Sequence, residues 1–368
     1  MNYNNDKRIV MTLDAGGTNF VFSAIQANEE IIEPIKLPSQ PKDLDKCLNT
    51  IIDGFKQVES KLKEKPVAIS FAFPGPADYR KGIIGDLPNL PAFRGGVALG
   101  PMLQEIFNMP VFINNDGNLF VYGEAISGLL PYINNLLEEA GSPKRYENLF
   151  GITLGTGLGG GFVHNNELLI GDNSCAAEIW ILRHKLEKNL NAEEGASIRA
   201  VKRNYAKLIG IPFEETPEPK EIYEIAKGLK DGDKEAAKKS FEMMGEVVGD
   251  AIANAITILD GLVVIGGGLS GAHEFFMPAI IDELNSTFDQ INGVTVPRLE
   301  ITAFNLEDKK QLNKFLKGDT KTIKVPFSDK TVQYDPLQRI GVGISKLGTE
   351  KAVGIGAYAF ALNQLDNN

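Results

Sequence analysis

The sequence predicts an α/β fold, because short apolar runs typical of strands alternate with segments of helical periodicity. The runs Ile9–Leu13, Phe20–Ile25 and Ile31–Ile35 predict an antiparallel opening to a sheet. Leu44–Lys63 then has helical spacing, and Val67–Phe71 indicates a buried strand. The same alternation continues along the chain, so we expect layers of helices packed on sheets.

Later patterns extend this alternation. They are the strand Val111–Ile113, the helix Leu119–Gly128, the helix Phe241–Ile258 and the strand Gly261–Ile265. The segment Arg298–Pro336 predicts an extra hairpin formed by Lys321–Phe327 and Thr331–Tyr334. For this hairpin we hypothesise only an accessory or oligomer contact.

The first of three glycine-rich turns lies between the first two strand patterns. In Asp14-Ala15-Gly16-Gly17-Thr18, Gly16 and Gly17 lack a Cβ, so their amides can approach a phosphate closely. Thr18 adds a hydroxyl donor, and Asp14 can hold Mg²⁺ directly or through water. The same residues also favour an ordinary hairpin turn, so this motif alone leaves both interpretations open.

The second glycine-rich turn, residues 154–161, follows another strand pattern. Its Gly-x-Gly-x-x-Gly pattern begins at Gly155 and formally matches a dinucleotide-binding fingerprint. That fingerprint needs a helix after the glycines, whereas residues 161–164 continue as an extended run into the turn-forming pair Asn165 and Asn166. The sequence therefore disfavours a dinucleotide site, and it also lacks the Gly-Lys-Ser/Thr of a Walker loop.

The third glycine-rich turn, Gly266-Gly267-Gly268, ends the strand at 261–265. Ligands of open α/β sheets bind beyond the carboxyl ends of strands, so these glycines can let adenine and ribose pack on the backbone. A plain strand-to-helix turn is equally compatible.

A carboxylate lies between the two phosphate-type turns. Asp116 follows the strand at 111–113, and a carboxylate at a strand end can take a proton from an attacking hydroxyl. We therefore interpret the combination as phosphoryl transfer from a nucleotide, with Asp116 as general base. Taken alone, the Asn-Asp-Gly at 115–117 favours an Asx turn or a helix N-cap.

Composition and charge limit the classes of protein that fit. The 368 residues suffice for two domains with cores, and 43% hydrophobic with 23% charged residues is ordinary for a globular protein. A net charge of −10 and a pI near 5.1 argue against a broad nucleic-acid surface. We expect no signal peptide and no membrane span, since no apolar run reaches roughly 18 residues. Two cysteines make no disulfide framework, which favours a cytoplasmic protein.

Together these motifs resemble the ROK family (repressors, open reading frames and sugar kinases) of the actin-like ATPase superfamily, from about Ile9 to Ala361. In chain order the motifs are Asp14-Ala15-Gly16-Gly17-Thr18, Phe73-Pro74-Gly75-Pro76, Leu87-Pro88-Asn89-Leu90, Asn115-Asp116-Gly117-Asn118 with Gly123-Glu124, Thr153-Leu154-Gly155-Thr156-Gly157, Gly266-Gly267-Gly268-Leu269-Ser270 and Gly354-Ile355-Gly356-Ala357-Tyr358. Each motif is weak by itself, whereas their order and spacing together are specific.

The resemblance implies a two-domain α/β fold of the actin-like (ribonuclease H-like) ATPase type, with a cleft between domains that closes on its ligands. Residues 1–124 would form a small domain, joined by the C-terminal helix 351–368, and residues 125–350 a larger one. The implied activity is that of a glucokinase-like enzyme, which transfers the γ-phosphate of ATP to a hydroxyl of a hexose or N-acetylhexosamine. It implies no nucleic-acid or membrane partner, and a homodimer is expected on base rates.

The resemblance also implies roles for individual residues. Asp116 would be the general base, and Asp14 would bind Mg²⁺ through ATP. The residues implied in ATP binding are Asp14, Gly16, Gly17, Thr18, Gly155, Thr156, Gly157, Gly266, Gly267 and Gly268. The residues implied in sugar binding are Gly75, Asn89, Asn115, Asp116, Glu178 and Glu193. Each of the two glutamates could accept two hydrogen bonds from neighbouring sugar hydroxyls, and Glu194 is the alternative to Glu193.

Two departures from the family pattern affect the sugar site and the metal content. The Gly-Glu-x-Gly-His segment of the family is here Ala177-Glu178-Ile179-Trp180-Ile181, so tryptophan replaces a glycine and isoleucine replaces the histidine. We expect Trp180 to be a packing residue, and loss of the histidine donor to favour a modified hexose over glucose. The cysteine cluster of the family's zinc site is also missing, because Cys47 and Cys175 lie far apart, so we expect no zinc site.

Three alternatives use the same observations. A sugar-sensing repressor would need a DNA-binding helix-turn-helix ahead of the first glycine turn, where only eight residues precede Ile9. A non-catalytic sugar-binding protein or degenerate kinase fits the changes at Trp180 and Ile181, whereas the intact Asp14 and Asp116 argue against it. An NAD-dependent oxidoreductase would need the helix that the second turn lacks.

Overall fold

The computed structural model describes residues 3–87 and 90–367. Within these residues the strands are, in chain order, β1 (Val10–Ala15), β2 (Asn19–Gln26), β3 (Glu29–Glu30), β4 (Ile35–Pro38), β5 (Ala68–Ala72), β6 (Ala77–Asp78), β7 (Ile83–Ile84), β8 (Val111–Asn114), β9 (Leu149–Leu154), β10 (Leu158–His164), β11 (Glu167–Leu168), β12 (Leu262–Gly266), β13 (Thr287–Asp289), β14 (Thr295–Pro297), β15 (Thr302–Asn305), β16 (Lys321–Lys324), β17 (Thr331–Tyr334) and β18 (Arg339–Ile344). The α-helices are α1 (Leu44–Lys61), α2 (Leu99–Phe107), α3 (Asp116–Ser127), α4 (Leu129–Glu139), α5 (Ile198–Ile209), α6 (Pro219–Lys227), α7 (Lys234–Leu259), α8 (His273–Leu284), α9 (Lys309–Lys317) and α10 (Thr349–Asn367). None of these helices is long and apolar enough to cross a membrane.

The chain divides into two compact units. Unit 1 holds the described part of residues 1–128, 161–176 and 347–368. Unit 2 holds residues 129–160 and 177–346. Strands and helices occur in both, so each unit is an α/β body, as the alternation of patterns predicts.

Unit 1 is built on a sheet with the strand order β3-β2-β1-β5-β8, and β4 also pairs with β2. β1 and β2 are antiparallel, as the sequence predicts, while β5 is parallel to both of its neighbours, β1 and β8. The register aligns Asp14 with Ala72 and Ala72 with Asn114. Three strands therefore end together at one edge of the sheet, where ligands of open α/β sheets bind.

The predicted strand Ile31–Ile35 is wrong in its bounds. The structure has the two-residue strand β3 before this segment, and β4 begins only at its last residue, Ile35. Pro34 stands directly before β4 and has no amide hydrogen to donate to a ladder, so the strand cannot begin earlier without losing a bond. β4 is antiparallel to β2, so the sheet does begin with antiparallel strands, as predicted, but β4 lies further along the chain than the predicted strand.

Phenylalanines form much of the core of unit 1. Phe22 of β2, Phe55 of α1 and Phe71 of β5 are fully buried. Ring centroids lie 5.2 Å apart for Phe22 and Phe55 and 5.9 Å apart for Phe55 and Phe71, within the usual range of aromatic pairs. This packing holds α1 against the strands whose ends carry the candidate site.

Helices α3 and α10 of unit 1 pack so closely that their backbones touch. A Cβ added to Gly123 would lie 2.0 Å from the carbonyl oxygen of Ala352. A Cβ added to Gly356 would lie 1.9 Å from the carbonyl oxygen of Leu119. Glycine is therefore required on both sides of this contact, which holds the C-terminal helix against the helix that begins at Asp116.

Unit 2 is built on a sheet with the strand order β10-β9-β12-β18-β15. β12 is parallel to β9 and to β18, and β18 is parallel to β15. Gly266 of β12 is aligned with Thr153 of β9. The second and third glycine turns therefore leave this sheet at the same edge.

The segment after the second glycine turn is extended, as predicted. β10 continues to His164 and pairs antiparallel with β11. The turn between them places Asn165 at φ 51° and Asn166 at φ 65°, the left-handed region that asparagine tolerates. Because a strand follows the glycines where the dinucleotide fingerprint needs a helix, the fingerprint reading is excluded for this turn.

The hairpin predicted within 298–336 is confirmed. β16 and β17 pair antiparallel, with Lys321 opposite Tyr334 and Lys324 opposite Thr331. Just beyond the hairpin, the fully buried Arg339 forms a 2.6 Å ion pair with Asp335. This pair ties the end of the extra segment to the first residue of the core strand β18.

Candidate active site

Asp14 lies near the end of β1, at the carboxyl edge of the unit 1 sheet. It opens onto a cavity of about 560 Å³ that Asp116 and Glu350 also line. Partial burial in this concave surface raises the pKa of the Asp14 carboxyl, and the negative charges of Glu350 and Asp116 raise it further. Among the described residues, Glu29 and Glu30 also line this cavity, so five carboxyl groups surround it with the one ammonium group of Lys351, and the local field favours a cation.

The first glycine turn joins β1 to β2. A Cβ on Gly16 would lie 2.8 Å from the carbonyl oxygen of Asn19, so the turn itself requires glycine there. The Cβ position of Gly17, by contrast, has no non-adjacent atom of the described residues within 4 Å. Ser39 fixes the turn, since its hydroxyl donates to the Gly17 carbonyl at 2.7 Å and its amide donates to the Thr18 carbonyl at 3.0 Å.

Asp116 begins α3, but its neighbour Asn115 is the residue that caps this helix. Asn115 Oδ1 accepts the amide hydrogen of Asn118 at 2.6 Å, which is the usual N-cap bond. Asp116 Oδ1 accepts the amide of the next residue, Gly117, at 2.9 Å, and the residue is exposed. The helix therefore does not depend on Asp116 as its cap.

Two buried asparagines hold the backbone on which Asp116 is presented. Asn118 Nδ2 donates to Asn114 Oδ1 at 2.9 Å, and the amide of Asn115 donates to the same oxygen at 2.9 Å. Asn114 and Asn118 are each only 1% exposed. The strand-to-helix turn is thus fixed by side-chain bonds on its inner side.

The second and third glycine turns lie against each other in unit 2. Gly267 has a φ of 88°, and a Cβ there would lie 2.3 Å from the carbonyl oxygen of Leu154. The amide of Leu269 donates to that same oxygen at 3.0 Å. Neither Gly155 nor Gly268 has a non-adjacent atom of the described residues within 4 Å of its Cβ position. Contacts among the described residues therefore do not require glycine at position 155 or at position 268.

Glu193 and Glu194 are adjacent in the chain and both contact Arg199, at 3.4 Å in the case of Glu194 Oε1, but their other partners differ. Glu193 Oε2 accepts the amide of Leu158 at 3.1 Å, and Glu193 Oε1 accepts a hydrogen bond from Arg199 at 3.1 Å. Glu194 forms a 2.7 Å ion pair with Arg203, which holds the pKa of Glu194 below its usual range. Glu193 is therefore the glutamate whose carboxylate touches the second glycine turn.

Glu178 precedes a 3-10 turn at Ile179–Ile181. The indole Nε1 of Trp180 donates to Glu178 Oε2 at 2.5 Å. Ile179 is the buried residue of this turn, whereas Trp180 is 39% exposed and Ile181 is 59% exposed. Trp180, which the sequence predicted to be a packing residue, is therefore partly exposed, because this tight turn directs Ile179 inward.

Gly75 follows β5 in unit 1. Its Cβ position lies 3.0 Å from the Oη of Tyr79, and the Tyr79 hydroxyl donates to the Phe73 carbonyl at 3.0 Å. This bond braces the loop after β5 beside Gly75. Asn89, the other loop residue predicted to bind sugar, lies outside the described residues.

Each unit brings together a part of the predicted site. In unit 1, Asp14 and Asp116 line one cavity, and in unit 2 the two glycine turns abut. Two charged residues beside these groups were not among the predicted site residues. Glu350 of α10 lines the cavity of Asp14, and Arg199 of α5 bonds Glu193 and the Thr156 carbonyl, the latter at 3.3 Å. In the sequence, these two residues could have been found only by position, since Glu350 lies just before the C-terminal glycine motif and Arg199 lies just after Ser197.

The chain is similar to several proteins of known class. Residues 10–312 match the ROK family. A crystal structure of glucokinase from Parabacteroides distasonis ATCC 8503 is 54% identical, with a TM-score of 0.91 and coverage of 99% of each chain. An N-acetyl-D-glucosamine kinase of Vibrio atlanticus is 28% identical over 270 residues, which are 70% of this chain and 83% of that protein. A ROK family glucokinase from Streptomyces griseus, solved with glucose and AMPPNP, is 20% identical, with a TM-score of 0.59 over 95% of this chain and 98% of that chain.

These matches confirm the predicted resemblance and the predicted fold class. The likeness to solved ROK structures shows the actin-like ATPase type of α/β fold. The family match spans the first and second glycine turns, Asp116 and the third glycine turn. The chain belongs to the ROK family.

Proposed function

We propose that this protein is an ATP-dependent sugar kinase that transfers the γ-phosphate of ATP to a hydroxyl of a hexose or N-acetylhexosamine. The observation that carries the proposal is the shared cavity of Asp14 and Asp116. Asp14 lies near the end of β1 and Asp116 follows β8, and these strands end at one sheet edge, so the cavity would hold both a metal-binding carboxylate and a base. The 54% identical glucokinase and the 28% identical N-acetyl-D-glucosamine kinase support the two sugar classes named here.

The glycine turns are the proposed binding sites for ATP. Gly17, Gly155 and Gly268 face open space, so the close approach of a phosphate or a nucleoside would explain why these positions lack a side chain. Backbone amides in such turns bind anionic oxygens without added charge. The turns at 16–18 and 155–157 would then bind phosphates, and the turn at 266–268 would bind the adenosine.

Magnesium fits the carboxylates of unit 1. No group of three His, Cys, Asp or Glu side chains placed to hold a metal occurs in residues 3–87 and 90–367. Mg²⁺ prefers one or two carboxylates with water and phosphate oxygens, so Asp14 together with bound ATP would suffice. Bound Mg²⁺ would neutralise charge on the transferring phosphate, and it would favour the ionised form of Asp14, whose pKa is raised in the free protein.

Asp116 is the proposed general base. A sugar hydroxyl is a weak nucleophile, and a carboxylate within hydrogen-bond reach takes its proton as the oxygen attacks the γ-phosphorus. Asn115 Oδ1 is occupied by its N-cap bond, so its amide nitrogen is the atom free to donate to a sugar oxygen. Gly75, Asn89, Glu178 and Glu193 are the further proposed contacts of the sugar.

A cytoplasmic homodimer is also part of this proposal. ATP is a cytoplasmic substrate, and both Cys47 and Cys175 are free. A two-fold dimer is the commonest assembly among soluble oligomers. Sedimentation at micromolar concentration measures this directly.

A sugar panel tests the proposed function. ADP release from ATP should depend on added sugar, with glucose and N-acetylglucosamine the first candidates. Because Ile181 stands where the family has a histidine donor, we expect N-acetylglucosamine to have a higher kcat/KM than glucose. Higher kcat/KM for glucose than for every modified hexose would contradict this preference. Sugar binding without any ADP release would instead support the non-catalytic alternative.

Metal dependence gives a second test. Activity is expected to require added Mg²⁺, and EDTA should abolish it while the thermal melt of the free protein stays unchanged. Elemental analysis of the purified protein should find no stoichiometric zinc, because the chain lacks the cysteine cluster. Near-stoichiometric zinc, or a melt that collapses in EDTA, would contradict the prediction.

A further inference from the structure

Trp180 is bonded to a residue of the proposed sugar site and is the single tryptophan of the chain. Its indole Nε1 donates to Glu178 Oε2 at 2.5 Å, while 39% of the residue stays exposed. The indole has one polar atom and that atom is bonded, so the exposed surface of the ring is apolar. The next residue, Ile181, is 59% exposed and extends this apolar surface along the chain.

The backbone that carries this pair is tightly constrained. Ala177 has a φ of 59°, an uncommon left-handed conformation for alanine. Its carbonyl accepts the amide of Ile179 at 2.8 Å and would lie 2.4 Å from a Cβ on Gly160. Ile179 is buried against the same glycine. Glu178 and Trp180 therefore project from a turn whose backbone conformation is fixed, and this conformation is the reason that Trp180 is exposed.

The Glu178 carboxylate keeps acceptor capacity, most of it on Oε1, because each carboxylate oxygen can accept two hydrogen bonds. Among the residues that the structure describes, the side-chain partner of Glu178 is Trp180, through Oε2. Both oxygens of Glu193, by contrast, bind protein groups, the amide of Leu158 and the Arg199 guanidinium. Glu178 Oε1 is thus an unfilled acceptor beside an apolar ring, the combination that binding sites for small polar ligands use.

We propose that Trp180 is a sugar-positioning residue that fixes Glu178 Oε2, leaves Oε1 to accept one sugar hydroxyl, and offers its ring to the apolar side of the pyranose. This inference rests on the proposed function and deepens it. The sequence suggested that Glu178 accepts two neighbouring hydroxyls, whereas the indole takes one acceptor site of Oε2 and makes Oε1 the more accessible oxygen for a hydroxyl. The substrate class that fits is a hexopyranose with one hydroxyl at Glu178 and a substituent tolerated on the neighbouring carbon, such as an N-acetyl group.

The single tryptophan makes the proposal testable without turnover. With excitation at 295 nm and no ATP, the wild-type emission should change on titration with the best sugar and should saturate. The Trp180→Phe variant is the blank for this signal. Glu178→Gln should bind the same sugar at least about tenfold more weakly, because the charged acceptor is lost.

Steady-state kinetics separate positioning from folding. Trp180→Phe keeps an aromatic ring but cannot donate to Glu178, so the sugar KM should rise about five- to tenfold. The KM for ATP and the melting temperature should stay within experimental error, and kcat should change by less than about threefold. Leu186→Ala is the matched control, because Leu186 is 52% exposed on the same stretch of chain and should leave all four values unchanged.

The outcomes distinguish this inference from the kinase proposal. The inference would be overturned if ADP release depended on sugar but the tryptophan emission did not change and Trp180→Phe had an unchanged sugar KM. That result would still support the proposed kinase activity. A saturable emission change without ADP release would keep Trp180 at a sugar site and overturn the catalytic activity. A KM rise shared by Leu186→Ala would show a general effect of the loop and also overturn the inference.

Discussion

Asp116→Asn should lower kcat by about 10²–10⁴-fold, the usual scale for loss of a general base. Asparagine keeps the size of the side chain and an oxygen that can still accept the Gly117 amide, which aspartate accepts at 2.9 Å. The helix cap is unaffected, since Asn115 supplies it. The sugar and ATP KM values should change little, because the lost interaction belongs to the transition state. The measurement is ADP release with the best sugar.

Asp14→Asn is the matched control, because Asp14 lines the same cavity in a different proposed role. Its defect should appear as weaker use of Mg²⁺–ATP, and excess Mg²⁺ should partly restore it. Thermal melts of both variants establish that they are folded. If folded Asp116→Asn kept more than about half of the wild-type kcat, Asp116 would be a structural turn residue and the base would lie elsewhere.

Gly356→Ala should be among the most destabilising single methyl additions in this chain. The new Cβ would lie 1.9 Å from the carbonyl oxygen of Leu119, and a backbone atom of a neighbouring helix cannot rotate away as a side chain can. Separating α3 from α10 should cost about 3 kcal/mol of the free energy of unfolding, at the upper end for overpacking. The melting temperature should fall by roughly 5 °C or more.

Gly354→Ala provides the control on the same helix. Its Cβ would meet only the flexible end of Ile25, at 3.3 Å, and alanine favours a helix over glycine by about 1 kcal/mol. Its melting temperature should therefore be unchanged or higher. Equal losses in the two variants would show that glycine flexibility, and not the close contact of α3 with α10, is what the helix needs.

The sequence predicts local elements well where one chemical cause decides them. Asparagines 165 and 166 favour left-handed backbone, so the extended run at 161–164 and the turn after it were predicted correctly, and with them the exclusion of a dinucleotide fingerprint. The prediction of the third strand, at residues 31–35, was wrong in its bounds, because Pro34 has no amide hydrogen to donate and this outweighs the apolar pattern around it. The extra hairpin β16–β17 was also predicted from the sequence.

The candidate site was predicted less completely, because contacts between distant segments decide it. Glu350 reaches the cavity of Asp14 only because α10 packs on α3 through two glycines. The bond from Trp180 to Glu178 depends on a backbone turn that burial of Ile179 imposes. Neither contact leaves a periodic signal in the sequence. The glycine turns and Asp116 were predicted because strand-end chemistry is local in the chain.

The most direct test of the central claim follows the transferred phosphate itself. ATP labelled in the γ-phosphate should be incubated with Mg²⁺, the protein and the best sugar, and the products separated. We expect the label to appear in a hexose phosphate in a one-to-one ratio with ADP, and Asp116→Asn to slow the formation of this product by at least about 10²-fold. Label found only in inorganic phosphate, or ADP formed at the same rate without sugar, would contradict a sugar kinase.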